Sequence, residues 1–547
     1  MRWIFRSEDP PQDKKPESII KFLLKVRGIS NFDSFLNPSP KDLNDPFLLD
    51  NVGKASEKIL EAVRGRKKIS IFGDFDADGI SATSLMLAFL RKLGAEVDFY
   101  IPHRLEEGYG LNKAGIEELK KNGTELLITV DCGINSVLEI ERAKELGMEV
   151  IVTDHHLPES ENPAEIVISP HLSEKYPYKE LAGVGIAFKL CQAITKIIGL
   201  RENFLFWNLD LVALGTVADV VPLTGENRVI TILGLKIMNE GRRPGIVSLF
   251  NTAGFKKEKI DAWHIAFILA PRINAIGRLE EAKEAVRLLL TYNKREAELI
   301  SAKLEKSNIE RKKIQEEIYA DALKIIESYG EDIPGVVISG KNWHEGVIGI
   351  VASKIVEEFY LPTILISEKE GICRGSGRSI PGFNITDCIK GLSHFLEKFG
   401  GHSQACGFSI KRENIEDFKN AFVKEVERRM EGKISLKELF IDFPLSLYWV
   451  DEKLVRNIEE LGPFGIGNPK PVFAAQDIEL VCSPNIVGNN HLKFVFKDKD
   501  KYFSGIGFSL GDKISSIKDS KKVSIAYTPF VDDWTGKVSL RIYDVKG

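Results

Sequence analysis

Three short apolar runs in the first third of the chain each end in a carboxylate, and this constrains the sheet they can form. Lys67-Lys-Ile-Ser-Ile-Phe-Gly73 runs into Asp74, Leu126-Leu-Ile-Thr-Val130 into Asp131, and Val150-Ile-Val-Thr153 into Asp154. A further strand is expected at 97–101, and helices at 80–93, 112–121 and 136–146. Short buried strands alternating with amphipathic helices predict a parallel, doubly wound α/β sheet. In such sheets functional groups collect where strands end at their carboxyl edge.

The rest of the chain divides by pattern. Residues 1–45 form a Pro- and Asn/Asp-rich N-terminal extension with one helix near 17–26, and 46–275 take in the sheet and a mainly helical stretch over 181–240. From about 280 to 328 Lys, Glu, Ala and Ile recur at helical spacing. This predicts a long connecting helix (276–330 as a segment) with a solvated charged face. A second α/β block follows at 331–432. From 433 to 547 alternating runs such as His491-Leu-Lys-Phe-Val-Phe496 predict a small β-barrel.

Composition narrows the class. A chain of 547 residues that is 43% hydrophobic and 28% charged is ordinary globular material, enough for three to four domains. No apolar run is long enough for a bilayer, and residues 1–8 lack the apolar core of a leader. The six cysteines (132, 191, 373, 388, 406, 482) are scattered singly, as in reduced thiols rather than a disulfide framework or zinc ribbon. The expected location is cytoplasmic, with no membrane association. The net charge of -4 means that a nucleic-acid binder of this composition must concentrate its positive charge locally.

Asp74, Asp76 and Asp78 alternate on a segment leaving a strand, so their side chains can converge. Asp-x-Asp-Gly is also turn chemistry, but like charges so close together are costly without a cation. Asp131, the Asp154-His155-His156 triplet and Asp219, at the end of a fourth apolar run, extend the set. Carboxylates and imidazoles without paired cysteines suit Mn²⁺ or Mg²⁺. Four separate segments each delivering a carboxylate is the layout of a site for two divalent cations.

Asp74-Phe-Asp-Ala-Asp-Gly79, Val130-Asp-Cys-Gly-Ile134, Thr153-Asp-His-His156 and Thr216-Val-Ala-Asp-Val-Val-Pro-Leu223 resemble, in order, the four motifs of the DHH phosphoesterase superfamily. Within it the chain is most similar to the exonucleases specific for single-stranded DNA. The resemblance implies metal ligation by Asp76, Asp78, Asp131, His155 and Asp219, with Asp74 a ligand or its support. It places His156 either on a metal or beside the scissile phosphate. Relatives often carry a His four residues before Asp76; this chain has Phe72 there.

Two glycine-rich segments, Arg374-Gly-Ser-Gly-Arg-Ser379 and Phe399-Gly-Gly-His-Ser403, are expected as loops and together resemble the DHHA1 substrate domain. The resemblance assigns Ser376, Arg378, Gly401 and His402 to the scissile phosphate, together with Arg278, which is expected at a helix start. Arg104 is assigned to a 5′ end, and Tyr109 to base stacking. The terminal segment resembles an OB-fold, with Phe464, Lys493, Phe494 and Lys497 as groove candidates. The function implied is 5′-to-3′ hydrolysis of single-stranded DNA to 5′-mononucleotides in DNA repair and recombination, using two divalent cations, Mn²⁺ in preference to Mg²⁺. The implied partners are a single-strand-binding protein and a repair helicase, and the chain is expected to be a monomer. Relatives acting on short RNAs or cyclic dinucleotides generally lack the terminal barrel and the Arg104-type loop.

Overall fold

Strand β1 (Arg2–Phe5) and the Pro16–Val26 helix open the chain, and the sheet that carries the aspartates begins at Ile69. The computed structural model describes the chain apart from residues 105–106, 109, 256–258, 280, 330–332, 431–436, 489 and 518. It divides into two units. One is Met1–Leu43 with Pro222–Val229 and Leu436–Gly547; the other is Asn44–Val221 with Ile230–Ser435. Among the described residues no helix is long and apolar enough to cross a membrane.

In the larger unit β2 (Ile69–Gly73), β3 (Val97–Tyr100), β4 (Leu126–Val130), β5 (Glu149–Thr153) and β6 (Ile166–Ile168) form a parallel sheet ordered β3-β2-β4-β5-β6. β2 and β4 are buried along their whole length, which is why they read as continuous apolar runs. Gly73 pairs with Val130, and Val130 with Thr153. Asp74, Asp131 and Asp154 therefore leave the sheet at one level. Phe72 is fully buried in the core, 5.0 Å from the Tyr100 ring.

The long connecting helix is shorter than expected. Residues 270–327 form three helices, Ala270–Leu279, Lys283–Leu290 and Lys294–Glu327. Thr291 is extended, and Asn293 caps the last helix by accepting from the amides of Arg295 and Glu296. The polar residues of that helix are not all solvated: Asn308 and Arg311 are buried.

A second sheet in the same unit comprises β7 (Val336–Lys341), β8 (Thr363–Glu368), β9 (Ile372–Arg378), β10 (Leu396–His402) and β11 (Ala405–Lys411), ordered β10-β11-β9-β8-β7. The two expected glycine-rich loops are strands β9 and β10. The glycines of β9 answer to packing across strands. A Cβ on Gly375 would lie 2.2 Å from the Phe408 ring, and one on Gly377 would lie 2.6 Å from the Cys406 sulfur.

The smaller unit joins the two ends of the chain. β1 pairs in parallel with β12 (Glu438–Ile441). The short β13 (Phe443–Pro444) leads into β14 (Phe473–Leu480), β15 (Asn485–Val487), β16 (His491–Asp498), β17 (Lys501–Gly507), β18 (Lys522–Val531) and β19 (Val538–Lys546). The sheet order is β13-β14-β18-β19-β17-β16-β15. It curls until β14 meets β16 through two residue pairs, so the expected barrel is an open, OB-type curl rather than a fully closed cylinder. Ile19, Ile20, Leu23 and Leu24 share its core, so residues 1–43 are part of this unit and not a separate extension. Phe494 also lies in that core, stacked on Phe496 at 5.2 Å, which removes it from the groove candidates. Lys493 is exposed on β16.

Gly375→Ala is expected to destabilise the second sheet by about 1–3 kcal/mol, the usual penalty of overpacking. The measurement is denaturant unfolding. An unchanged midpoint would show that Phe408 has room to move aside.

Candidate metal centre

The helix after β2 starts on Asp76, whose carboxylate accepts from the amides of Asp78 (2.9 Å) and Gly79 (3.1 Å). The Ala77 amide goes instead to the Asn274 side chain at 2.8 Å. Asp78 is buried in the first turn and reaches the start of the Gly183–Ile197 helix. Its two oxygens accept from Gly183 (2.7 Å) and Val184 (3.0 Å). The helix N-terminus favours this negative charge. Asp131 leaves β4 at φ +61°, a left-handed conformation that costs about 1–2 kcal/mol in most residues and is least costly in Asp and Asn. Asp219 follows the Leu209–Ala218 helix as its C-cap, an end where the helix dipole disfavours an anion.

Glycines make room for these carboxylates. A Cβ on Gly183 would lie 2.4 Å from Asp131 Oδ1, and one on Gly215 would lie 2.4 Å from Asp78 Oδ1.

The side chains assemble into three overlapping sets, each with ligand atoms within 4.8 Å of one another. These are Asp78, His155 and Asp219; Asp74, Asp76 and Asp131; and Asp131, His155 and His156. His155 Nε2 lies 3.3 Å from Asp131 Oδ1 and 3.6 Å from Asp219 Oδ2, bridging two sets.

The electrostatics call for a cation. Burial, then the charge of Asp76, raises Asp74 well above the usual carboxylate range and Asp78 to about 7. Burial, then Asp78, raises Asp131 as well, and Asp219 to about 9. Burial, then His156, pushes His155 down to about 4, so its imidazole is neutral and ready to ligate. Asp74 Oδ1, His155 Nε2 and Asp219 Oδ2 are buried without a hydrogen-bond partner among the described residues. Orphaned oxygens and one imidazole nitrogen, with no thiolate, fit Mn²⁺ or Mg²⁺. Cys132 lies close by, but its thiol donates to the Phe72 carbonyl and burial keeps it protonated.

Asp154 acts through His156. One oxygen takes the His156 amide (3.0 Å) and Nδ1 (2.6 Å), and the other takes the Ile134 amide (2.9 Å). Burial opposes charge on both groups, yet this pairing lowers Asp154 and raises His156. A carboxylate on Nδ1 sets the ring's orientation and leaves Nε2 to act.

Arginines stand beside the acidic sets. Arg104 lies 4.7 Å over the Phe75 ring and feels the charges of Asp74 and Asp76. Arg278 is at the end of the Ala270–Leu279 helix, not the start of one. Its Nη1 donates to the Gly346 carbonyl at 2.5 Å. Arg378 donates to Ser376 Oγ at 3.2 Å, and both reach the first turns of the Glu345–Phe359 helix, where a Cβ on Gly349 would meet them at 2.8–3.0 Å. Burial, then the charges of Arg104, Arg311 and Arg378, pushes Arg278 well below its usual range. Partly buried cations beside a helix N-terminus have the chemistry to hold an anion. His402 is exposed at the end of β10, and partial desolvation, then the charges of Arg378 and His156, lower its pKa. Gly401 pairs with Cys406 at φ +145°, with the Ala405 carbonyl where a Cβ would go.

Tyr109 lies outside the described residues. Phe464 and Lys493 belong to the smaller unit. Sequence reasoning passed over Asn274, Gly183, Gly215 and Arg311. Gly183 lies in the stretch 181–240 expected to be helical, and Gly215 stands one residue before the Thr216–Leu223 motif, so only the neighbourhood of each was marked.

Residues 68–216 match the model of the DHH family, N-terminal domain; residues 332–430 match that of the DHHA1 domain, and 441–544 that of the RecJ OB domain. The single-stranded-DNA-specific exonuclease RecJ of Bacillus subtilis is 36% identical, covering 98% of this chain and 69% of its own length. That of Escherichia coli is 34% identical, covering 99% of this chain and 97% of its own. The crystal structure of RecJ in complex with Mn²⁺ from Thermus thermophilus has a TM-score of 0.85 and 28% identity. It covers 100% of this chain and 79% of that one.

The geometry of the glycines and the titration of the aspartates each lead to a measurement. Gly183→Ala pushes on Asp131 and is expected to weaken Mn²⁺ binding by about 10–100-fold, measured by calorimetric titration; wild-type affinity would mean that Asp131 is not held there. The second measurement concerns pH. Asp78 and Asp219 have raised folded values, so the stability they contribute without metal is present below the unfolded value. It is lost as pH rises through about 7 and 9. A divalent cation needs the ionised forms. The Mg²⁺-induced rise in Tm over an EDTA control should therefore be larger at about pH 8.5 than at about pH 6. An equal or smaller rise would contradict the assignment.

Proposed function

The chain belongs to the RecJ family, metal-dependent single-stranded-DNA exonucleases on the DHH fold, and from that premise we propose that it digests from 5′ ends to 5′-mononucleotides. The single observation that carries the reading is the convergence of three overlapping ligand sets on one edge of the first sheet. Asp78, His155 and Asp219 would hold one divalent cation, and Asp74, Asp76 and Asp131 a second, while Asp131 and His155 also share a set with His156. Bound there, the ions supply an activated water and neutralise charge that develops on the phosphate.

The chain's own groups do the rest. Ser376, Arg378, Arg278 and the amide-rich start of the Glu345–Phe359 helix grip the scissile phosphate, with His402 and the Gly401 turn beside them. His156, oriented by Asp154, presents Nε2 to the same phosphate. Arg104, steadied on Phe75, takes the 5′-terminal phosphate, and Tyr109 stacks on the first base. By segment, 46–275 carry the metals, 276–330 the connection, 331–432 the phosphate grip, and 433–547, with 1–45, the strand further along. Phe464 and Lys493 contribute to that last role. A cytoplasmic monomer acting in DNA repair and recombination, beside a single-strand-binding protein and a repair helicase, completes the reading; six cysteines without a disulfide fit that compartment. Mn²⁺ is the favoured ion.

The test is digestion of end-labelled single-stranded and duplex DNA with Mn²⁺, Mg²⁺ or EDTA. Labelled mononucleotide should leave the 5′ ends of single strands only, and only with a divalent cation. Asp131→Ala should abolish the reaction, and undiminished activity in that variant would sink the catalytic assignment. Internal cuts or activity confined to dinucleotides would favour a short-oligonucleotide phosphodiesterase.

A further inference from the structure

The smaller unit carries a second basic feature, whose lining includes neither Phe464 nor Lys493. A cleft of about 560 Å³ is lined by Lys14, Lys15, Tyr448, Trp449 and Lys501, among others. The segment before the Glu452–Glu459 helix divides by side. Leu447 and Val450 enter the core, whereas Tyr448 and Trp449 face the cleft, with Trp449 38% exposed. Their rings meet edge to face at 5.1 Å.

This aromatic pair is held rigidly. The Tyr448 amide donates to Asp498 at 3.0 Å, and Ser446 Oγ reaches the same carboxylate at 2.6 Å. Lys501 Nζ donates to the carbonyls of Tyr448 (2.7 Å) and Val450 (3.3 Å). The ammonium groups of Lys499 and Lys501 lie 4.1 and 5.2 Å from the Tyr448 ring centroid. The two aspartates that also line the cleft are already engaged. Asp13 accepts from Ser18 (2.7 Å) and the Lys15 amide (3.1 Å), and Asp451 caps its helix through the Leu454 amide (2.8 Å). Neutral donors do not cancel a carboxylate's charge, so the lining sets three lysines against two aspartates, with Lys499 over the Tyr448 ring, and a small positive excess adjoins an exposed indole on a preorganised segment.

We infer that this cleft binds one nucleotide unit, its base stacked on Trp449 and its phosphate among Lys14, Lys15 and Lys499. The volume is in the range of single-ligand sites, and an aromatic face with lysines is the chemistry that holds single-stranded nucleic acid without reading its sequence. The unit is either a nucleotide of a bound strand or a free nucleoside monophosphate. The inference rests on the nuclease reading only for the identity of that nucleic acid.

The test uses the full chain in EDTA, so that binding is measured without hydrolysis, with fluorescence anisotropy of a labelled oligo(dT). Trp449→Ala should weaken binding between about 5- and 100-fold, and Trp449→Phe should restore most of it. Lys14→Ala and Lys499→Ala should each lower the slope of log affinity against log salt by about 0.7, while Lys424→Ala, a lysine elsewhere, should not. Thermal unfolding checks that each variant is folded. Displacement by millimolar dTMP assigns the cleft to free nucleotide as well as to strand; failure of dTMP with success of unlabelled oligo(dT) assigns it to the strand. Wild-type affinity and salt slope in the Trp449 and lysine variants overturn the inference. So does equally effective displacement by poly-glutamate, which would make the cleft a site for acidic protein chains. A chain that binds through the cleft but digests nothing would refute the nuclease reading and leave this one standing.

Discussion

Five carboxylates held at one buried edge repel one another, and much of the larger unit is arranged around that repulsion. Burial and the charges of their neighbours drive Asp74, Asp78, Asp131 and Asp219 toward the protonated form. Parallel register brings Asp74 and Asp131 out at one level. The amides that open the Gly183–Ile197 helix stabilise Asp78, and glycines at 183 and 215 let the backbone come close enough. The remaining imbalance is left for divalent cations. The site is thus strained toward its ligands, in keeping with the orphaned atoms of Asp74, His155 and Asp219.

The arginines pose the opposite problem. Arg278 is partly buried near Arg104, Arg311 and Arg378 and is pushed down by desolvation and by their charge. Like the aspartates, they are incompletely balanced until something of the other sign arrives. Phosphate is bulky, anionic and accepts from several donors, so it suits a place between cations and arginines. Arg311 comes from the middle of the Lys294–Glu327 helix, where Asn308 and Gln315 hold its guanidinium. That helix supplies charge as well as connection.

The aspartate cluster and the parallel sheet were legible because both are local. A buried parallel strand reads as an unbroken apolar run, and the residue that ends it stands at the functional edge whatever packs elsewhere. The second sheet was less legible. Glycines in Arg374–Arg378 read as a loop, because the bulk of Phe408 and Cys406 that demands them comes from a strand about thirty residues on. The N-terminal strand was invisible for a similar reason. Arg2–Phe5 is extended because it pairs with Glu438–Ile441, more than four hundred residues away. The connecting helix was overextended because composition alone does not register the break at Thr291 and the cap at Asn293.

By itself, the order of residues determined which groups could ligate a metal, since ligand chemistry belongs to side chains and strand ends are set by local pattern. Tertiary structure decided which of those groups meet. Asp219 comes from a helix end and His155 from a strand end, and only packing puts them within 3.6 Å. It also gave Asp154 its part as the orienting partner of His156, and joined the chain's two ends in one core. These depend on distances between segments remote in sequence, which burial of apolar surface settles and no local pattern records.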